Sequence, residues 1–230
     1  MSHPAVFIYT FSMGRWLYLE RAIKSIARSK VAYKGPVKHF VFLQGVSLPP
    51  EYSYLSSHAT FMQFEKNHGI ADGINIAMQF VEDEIILKFD DDCIISSPHF
   101  FNHIGYISKT FPSLIYSPYP VGLINHPGGP SAIKHEMHYN ERDDVYYTFR
   151  RVSHVGGLCR ISPSATKHWK LTSDINIDGL SGNEDAQFTQ LALANNIPMA
   201  YLENALIVEH QESTLGQHSR YGEQYFKGRF

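Results

Sequence analysis

The stretch Glu84-Ile85-Ile86-Leu87-Lys88-Phe89-Asp90-Asp91-Asp92-Cys93-Ile94-Ile95 decides how the rest of the sequence is read. Its apolar run, broken only by Lys88, has the length and composition of a largely buried strand. The run ends abruptly in three consecutive carboxylates. Unpaired buried carboxylates are costly and adjacent like charges raise one another's pKa, so three at a strand end require water, cationic partners or a metal. Strand alternation places Asp90 and Asp92 on one side and Asp91 on the other. Such an Asp-x-Asp pair suits a hard cation, Mg2+ or Mn2+, that also carries phosphate oxygens. A solvated acidic turn is the alternative reading of the same tripeptide.

Outward from this stretch, the sequence alternates strand and helix. Ala5 to Thr10 is a β-branched and aromatic run, followed by a turn through Ser12 and Gly14. Leu17, Leu19, Ala22, Ile23, Ile26 and Ala27 recur at helical spacing, which predicts an amphipathic helix over 16–29. Gly35-Pro36 breaks the chain before a strand at Val37 to Leu43, and a short strand is expected at Thr60 to Phe64. Asn67-His68-Gly69 opens a helix through Ile70, Ile74, Ala77 and Val81, which leads into the strand at 85–89. This rhythm predicts an α/β domain with a mostly parallel sheet flanked by helices. Right-handed crossovers bring the ends of the first, second and fourth strands to one edge. Ser12, Gln44 and the three aspartates then line one crevice.

The second half is less regular. A helix is expected after Pro98 and one or two strands within Leu114 to Ile124. Residues 125–144, rich in Gly, Pro and His, read as a loop. Val145 to Val152 and Val155 to Ile161 are strand candidates around Gly156-Gly157. Ser162-Pro163 caps a short helix to Trp169, Asn183-Glu184-Asp185 opens another, and Met199 to Leu202 and Ala205 to Val208 read as two short strands.

With 230 residues, 43% hydrophobic and 18% charged, the chain fits one soluble domain with a single sizeable core. A formal charge of -2 without a basic stripe gives no case for nucleic-acid binding. No apolar stretch approaches the ~20 residues of a transmembrane helix, and no signal peptide is read. The 2 cysteines, Cys93 and Cys159, build no disulfide framework and suit a reducing compartment. A cytoplasmic protein is expected, with or without peripheral contact with a membrane.

The order of these features resembles a glycosyltransferase of the GT-A fold, nearest in pattern to glycosyltransferase family 2. Ser12-Met13-Gly14-Arg15 and the following Tyr18-Leu19-Glu20-Arg21 resemble the family's opening Thr-Tyr-Asn-Arg and first helix. Glu65-Lys66-Asn67-His68-Gly69 resembles the Asn-x-Gly segment before the metal strand. Asp90-Asp91-Asp92 stands where the family keeps Asp-x-Asp, Asn183-Glu184-Asp185 where it keeps an acceptor-side Glu-Asp pair, and Val208-Glu209-His210 where a late histidine completes the metal site. The likeness spans nearly the whole chain.

The resemblance implies one GT-A domain over 1–230, with a nucleotide-sugar half (1–95) and an acceptor half (96–230). It implies Asp90, Asp92 and His210 as ligands of Mn2+ or Mg2+, and donor contacts from Ser12, Gln44, Asn67, Gly69, Asp90, Asp91 and Arg220. Asp91 reads hydroxyls of the donor or merely adds charge. Asp185 is implied as the general base of an inverting transfer, with Glu184 next to it; read locally, the two are an ordinary acidic pair at a helix start. Leu43-Gln44-Gly45 departs from the Asp-Asp-Gly with which the family contacts the base. Gln44 offers a donor and an acceptor to a pyrimidine edge, so a uridine or thymidine diphosphate sugar is expected, with a glycan, lipid-linked or protein-linked sugar as acceptor.

Trp169 is a sugar platform or core, His126, His135, His138 and His154 read as exposed polar residues, and Lys227 joins Arg220 in a polar tail. Two other readings compete. A haloacid-dehalogenase-like Mg2+-dependent phosphatase also places Asp-x-Asp after a strand, but Ile94 and the motif's distance from the N-terminus fit it poorly. A non-catalytic sugar-binding relative has no need of a base.

Overall fold

The computed structural model describes residues 3–121, 134–141, 143–156, 158–172 and 184–211. The expectations for His126, Gly157, Asn183, Arg220 and Lys227 fall outside these residues. Ten strands form one sheet: β1 Val6–Ser12, β2 Val37–Gln44, β3 Thr60–Phe64, β4 Ile85–Phe89, β5 Cys93–Ile95, β6 Ile115–Val121, β7 Lys134–Asn140, β8 Val145–Arg151, β9 Cys159–Ser162 and β10 Met199–His210. Four α-helices accompany them: α1 Trp16–Ser29, α2 Gly69–Ala77, α3 Phe100–Thr110 and α4 Glu184–Ala194. The strand order is β3-β2-β1-β4-β9-β6-β10-β8-β7, with β5 pairing the end of β10. β1, β2, β3, β4, β6, β7 and β10 run one way, and β5, β8 and β9 run against them.

The order reverses between β1 and β4, because β2 and β3 are added on one side of β1 and β4 on the other. Ligands of open α/β sheets bind at such a switch point, outside the carboxyl ends of the strands. Ser12 ends β1, Gln44 ends β2 and Asp90 follows β4, so all three stand on that edge.

Each sheet face has its own core. Ile8, Leu87 and Phe89 pack with Ile26 of α1 and Phe101 and Ile104 of α3. Phe7, Tyr9 and Ile86 pack on the other face with Ile74 of α2 and Phe188 of α4. The buried positions of α1, Leu19, Ala22, Ile23 and Ile26, keep the spacing of one helical face. β4 is buried along its whole length, as its composition predicts.

Three expectations need correction. The loop expected over 125–144 contains a strand: Lys134–Asn140 pairs antiparallel with β8 as the edge of the sheet. Its alternating charged and polar residues suit an edge strand and hide it from a pattern search. Of Val155 to Ile161 only the last part is strand, since β9 begins at Cys159. The two short strands expected after Met199 are a single β10 whose register on β6 shifts between Leu202 and Ile207. The interruption is held by Asn204, whose side chain accepts from the Thr148 N–H at 2.8 Å and donates to the Tyr146 carbonyl at 2.6 Å. The amide thereby continues the bonding of β8 where the backbone of β10 leaves it.

Candidate active site

The triple aspartate is a turn rather than extended chain: the Cys93 N–H donates to the Asp90 carbonyl at 3.3 Å. The alternation expected from a strand therefore fails here. Asp91 and Asp92 both face Arg15, which donates from Nη1 to Asp92 Oδ2 at 2.8 Å and from Nη2 to Asp91 Oδ1. Asp90 goes the other way, to Lys88 Nζ at 2.9 Å. Carboxylate atoms of Asp90 and Asp92 nevertheless lie with Cys93 Sγ within 4.8 Å of one another. The turn, not strand alternation, brings them close.

Asp92 is 0% exposed. Its backbone carbonyl accepts from the Gln211 N–H at 2.8 Å, and the Gln211 amide reaches the Tyr18 carbonyl at 2.9 Å. This ties the end of β10 to the turn and to α1. His210 pairs with Cys93 across β5 and β10, which carries its ring to the same turn. His210 Nε2 lies 3.3 Å from Asp92 Oδ2 yet out of line for a hydrogen bond, and it is buried without a hydrogen-bond partner. An orphaned imidazole nitrogen beside a buried carboxylate is an incomplete donor set, and a divalent cation on the two would complete it. Asp92 is thus shared by two sets: it pairs with His210 on one side, and it gathers with Asp90 and Cys93 on the other. The buried Cys93 thiol lies between the turn and the core, its Sγ 3.5 Å from Asp92 Oδ1 and 3.7 Å from the Leu158 carbonyl.

On the nucleotide side, Ser12 is buried and its hydroxyl is engaged by Asp91 and by the Gly14 N–H at 3.3 Å. Gln44 Oε1 accepts from the His68 N–H at 2.9 Å, while Gln44 Nε2 is buried with no hydrogen-bond partner. Its acceptor is spent on the turn before α2, which leaves a donor. Asn67 Oδ1 accepts from the Gly69 N–H at 2.8 Å, and Gly69 has a φ of +75 that only glycine adopts freely. These two residues shape the entry of α2.

In the second half of the chain, Glu184 and Asp185 stand at the first turn of α4. Two cations neither singled out nor obvious in the sequence lie beneath them. Tyr9, Lys88 and Arg160 are register partners across β1, β4 and β9, so they form a row on one sheet face. Arg160, 1% exposed, donates from Nη1 to Asp185 Oδ1 at 2.5 Å, with its guanidinium 3.6 Å over the Phe188 ring. Burial alone would pull the Lys88 ammonium down, but Asp90, Asp185 and Glu184 together hold it well above its ordinary value. Burial pushes the Glu184 carboxyl up, and the Asp185 charge adds to this. Lys88 breaks an apolar run, and that was the one available signal; Arg160 sits in Cys-Arg-Ile-Ser with none.

Gly156 lies against Asp185. A Cβ there would come within 2.9 Å of Asp185 Oδ2 and of His154 Nε2. The close approach explains the glycine, and it corrects the reading of His154 as exposed: this half-buried ring is held by Thr189 Oγ1 at 2.8 Å from Nδ1. Trp169 packs on Phe188 with ring centroids 4.8 Å apart and belongs to the core. His138 is likewise engaged, with Tyr106 Oη 3.0 Å from its Nε2.

No protein-family model and no curated protein sequence matches the chain. Solved structures do. A crystal structure of GalNAc-T7 with UDP, GalNAc and Mn2+ superposes with a TM-score of 0.66 at 12% identity, covering 90% of this chain and 43% of that one. Residues 1–349 of S. aureus TarS give a TM-score of 0.62 at 18% identity, covering 92% of this chain and 61% of that one. A longer TarS structure gives 0.60 at 18% identity over 89% of this chain and 36% of that one. The present chain therefore spans less than two thirds of each of these structures' chains. The fold is GT-A, as the order of motifs implied, and the phosphatase alternative is not favoured. Among the described residues no helix is long and apolar enough to cross a membrane.

Proposed function

We propose that this protein is a metal-dependent glycosyltransferase that moves a sugar from a nucleoside diphosphate to a hydroxyl acceptor. The observation that carries the reading is Asp92 Oδ2 with the orphaned His210 Nε2 3.3 Å away, at the switch point of a GT-A sheet. The GalNAc-T7 structure with UDP and Mn2+ supports the same substrate class.

Asp92, His210 and Asp90 are the residues that would hold Mn2+ or Mg2+. A divalent ion there supplies Lewis-acid stabilisation to the charge that builds on the departing diphosphate. The remaining work falls to the chain. Gln44 Nε2 donates to a carbonyl of the base, which suits a uracil or thymine, and Asn67 and Gly69 shape the wall beside it. Arg220 and Asp91 are the further donor contacts of this reading. Asp185, oriented by Arg160 through Oδ1 and lying against Gly156, is the carboxylate of this reading that takes the proton of the acceptor hydroxyl. As the acceptor oxygen, losing its proton to Asp185, forms its bond to the anomeric carbon, the bond to the diphosphate breaks on the opposite face, and the configuration inverts. Glu184, beside Asp185 on the first turn of α4, is the next candidate for the base; burial and the Asp185 charge push its carboxyl up.

The test is a panel of nucleotide sugars scored for Mn2+-dependent release of nucleoside diphosphate, with the product anomer read by NMR. Release from a uridine or thymidine diphosphate sugar, lost in Asp92→Asn, is expected. Metal-independent release, or undiminished release by Asp92→Asn, would sink the assignment.

A further inference from the structure

Arg15 touches the oxygen on which the metal reading depends. Its Nη1 donates to Asp92 Oδ2 at 2.8 Å, and the same Oδ2 is the atom nearest His210 Nε2 at 3.3 Å. Its Nη2 bonds Asp91, so one planar guanidinium spans both carboxylates of the turn. Gly14, at a φ of +96, and the hydroxyl of Ser12, which accepts from its N–H, set the turn that delivers Arg15 from the end of β1. The side chain is 26% exposed, whereas those of Asp91 and Asp92 are 4% and 0% exposed. The arginine therefore approaches from the open side of the site and caps two buried charges.

A guanidinium and a divalent ion on one carboxylate oxygen repel each other, and a carboxylate 0% exposed lies where such repulsion is poorly screened. The three carboxylates of the turn already answer Arg15 and Lys88, which leaves little charge to hold a divalent cation as well. A diphosphate changes this balance. It brings several negative charges and pairs of phosphate oxygens that a guanidinium binds in two-pronged fashion, so Arg15 gains a partner as good as the one it leaves.

We propose that Arg15 is the resident counter-cation of this turn and gives way to the metal when a nucleoside diphosphate arrives, so that metal binding is conditional on nucleotide. The inference rests on the metal reading above, and it makes Arg15 a positioning residue whose removal improves one step. A purely structural arginine would do the reverse.

Mn2+ binding is measured directly, by loss of the free-ion signal in electron paramagnetic resonance, for the wild-type chain and Arg15→Gln, each with and without UDP. Wild type is expected to bind Mn2+ weakly alone and much more tightly with UDP. Arg15→Gln is expected to bind Mn2+ alone about tenfold more tightly than wild type, the scale of one charge-assisted hydrogen bond, and to gain less from UDP. Arg15→Lys, which keeps the charge but cannot bridge both aspartates, should fall between and serves if the glutamine variant does not fold. Equal or weaker binding of Mn2+ alone by the variants overturns the inference and leaves the metal reading standing. Failure of every protein to bind Mn2+ even with UDP overturns both.

Discussion

The two halves of the sheet handle their charges differently. Around β1, β2 and β4, carboxylates follow strand ends and are answered from near by: Arg15 comes from the same edge and Lys88 from two residues before Asp90. In the second half, Asp185 stands on a helix and is answered by Arg160, from the middle of a different strand and 1% exposed. One region stores its chemistry in a turn, where the sequence displays it. The other stores it in a buried contact between elements. Lys88 joins the two, because its charge is sensed by Asp90 on one side and by Asp185 and Glu184 on the other.

The largest expected effect tests the acceptor half alone. Asp185→Asn should lower turnover by about 10²–10⁴-fold with little change in nucleotide affinity, since a base is lost and no donor contact is touched. Near-normal turnover would leave Asp185 a structural partner of Arg160. Next comes the joint between the halves. Lys88→Met leaves buried carboxylates without their cation and should cost about 3–5 kcal/mol, read from denaturant unfolding. Pairing it with Asp90→Leu should recover part of that loss; no recovery would mean that Lys88 serves the acceptor side only.

A smaller effect belongs to the nucleotide half. His39 is buried beneath Thr10, 3.1 Å from its hydroxyl, and burial pulls its pKa down to about 3. The unfolded chain takes up this proton near the ordinary value, so the contribution is complete above about pH 6.5 and is lost as pH falls towards 3. Unfolding measured across that window should show a slope of order 1 kcal/mol per pH unit at most, reduced in His39→Gln. An unchanged slope would place the acid sensitivity elsewhere. Smallest is the far edge of the sheet, where Met137 on β7 is 76% exposed. Met137→Ser should change stability by no more than about 0.5 kcal/mol, and a larger loss in a melting experiment would reveal a contact made by that edge.

This contrast also explains what the sequence could tell. Helix α1, strands β3 and β4 and the entry of α2 are written in local patterns of spacing, branching and glycine, and the structure follows them nearly residue for residue. Asp92 and His210 stand far apart in the sequence, and only the pairing of β5 with β10 shows that they meet. Arg160 was not legible, because nothing local separates a buried cation from a surface one until its partner is known. The sidedness of Asp90–Asp92 was misread for a related reason: a strand rule was applied one residue past the strand. β7 hid behind its own polarity, which is what an edge strand needs in order to stay unpaired.

The interruption of β10 has a consequence for how this molecule can change. Before it, Met199–Leu202 is locked to Ile115–Pro118; after it, Ile207–Glu209 is locked to Tyr119–Val121. Within an unbroken strand, gaining or losing one residue turns every later side chain to the opposite face. Here such a change is absorbed between the two locks, and His210 keeps its pairing with Cys93. The joint insulates the end of β10, His210 included, from length variation upstream, so the first part of the strand can be remodelled by insertion without shifting its end.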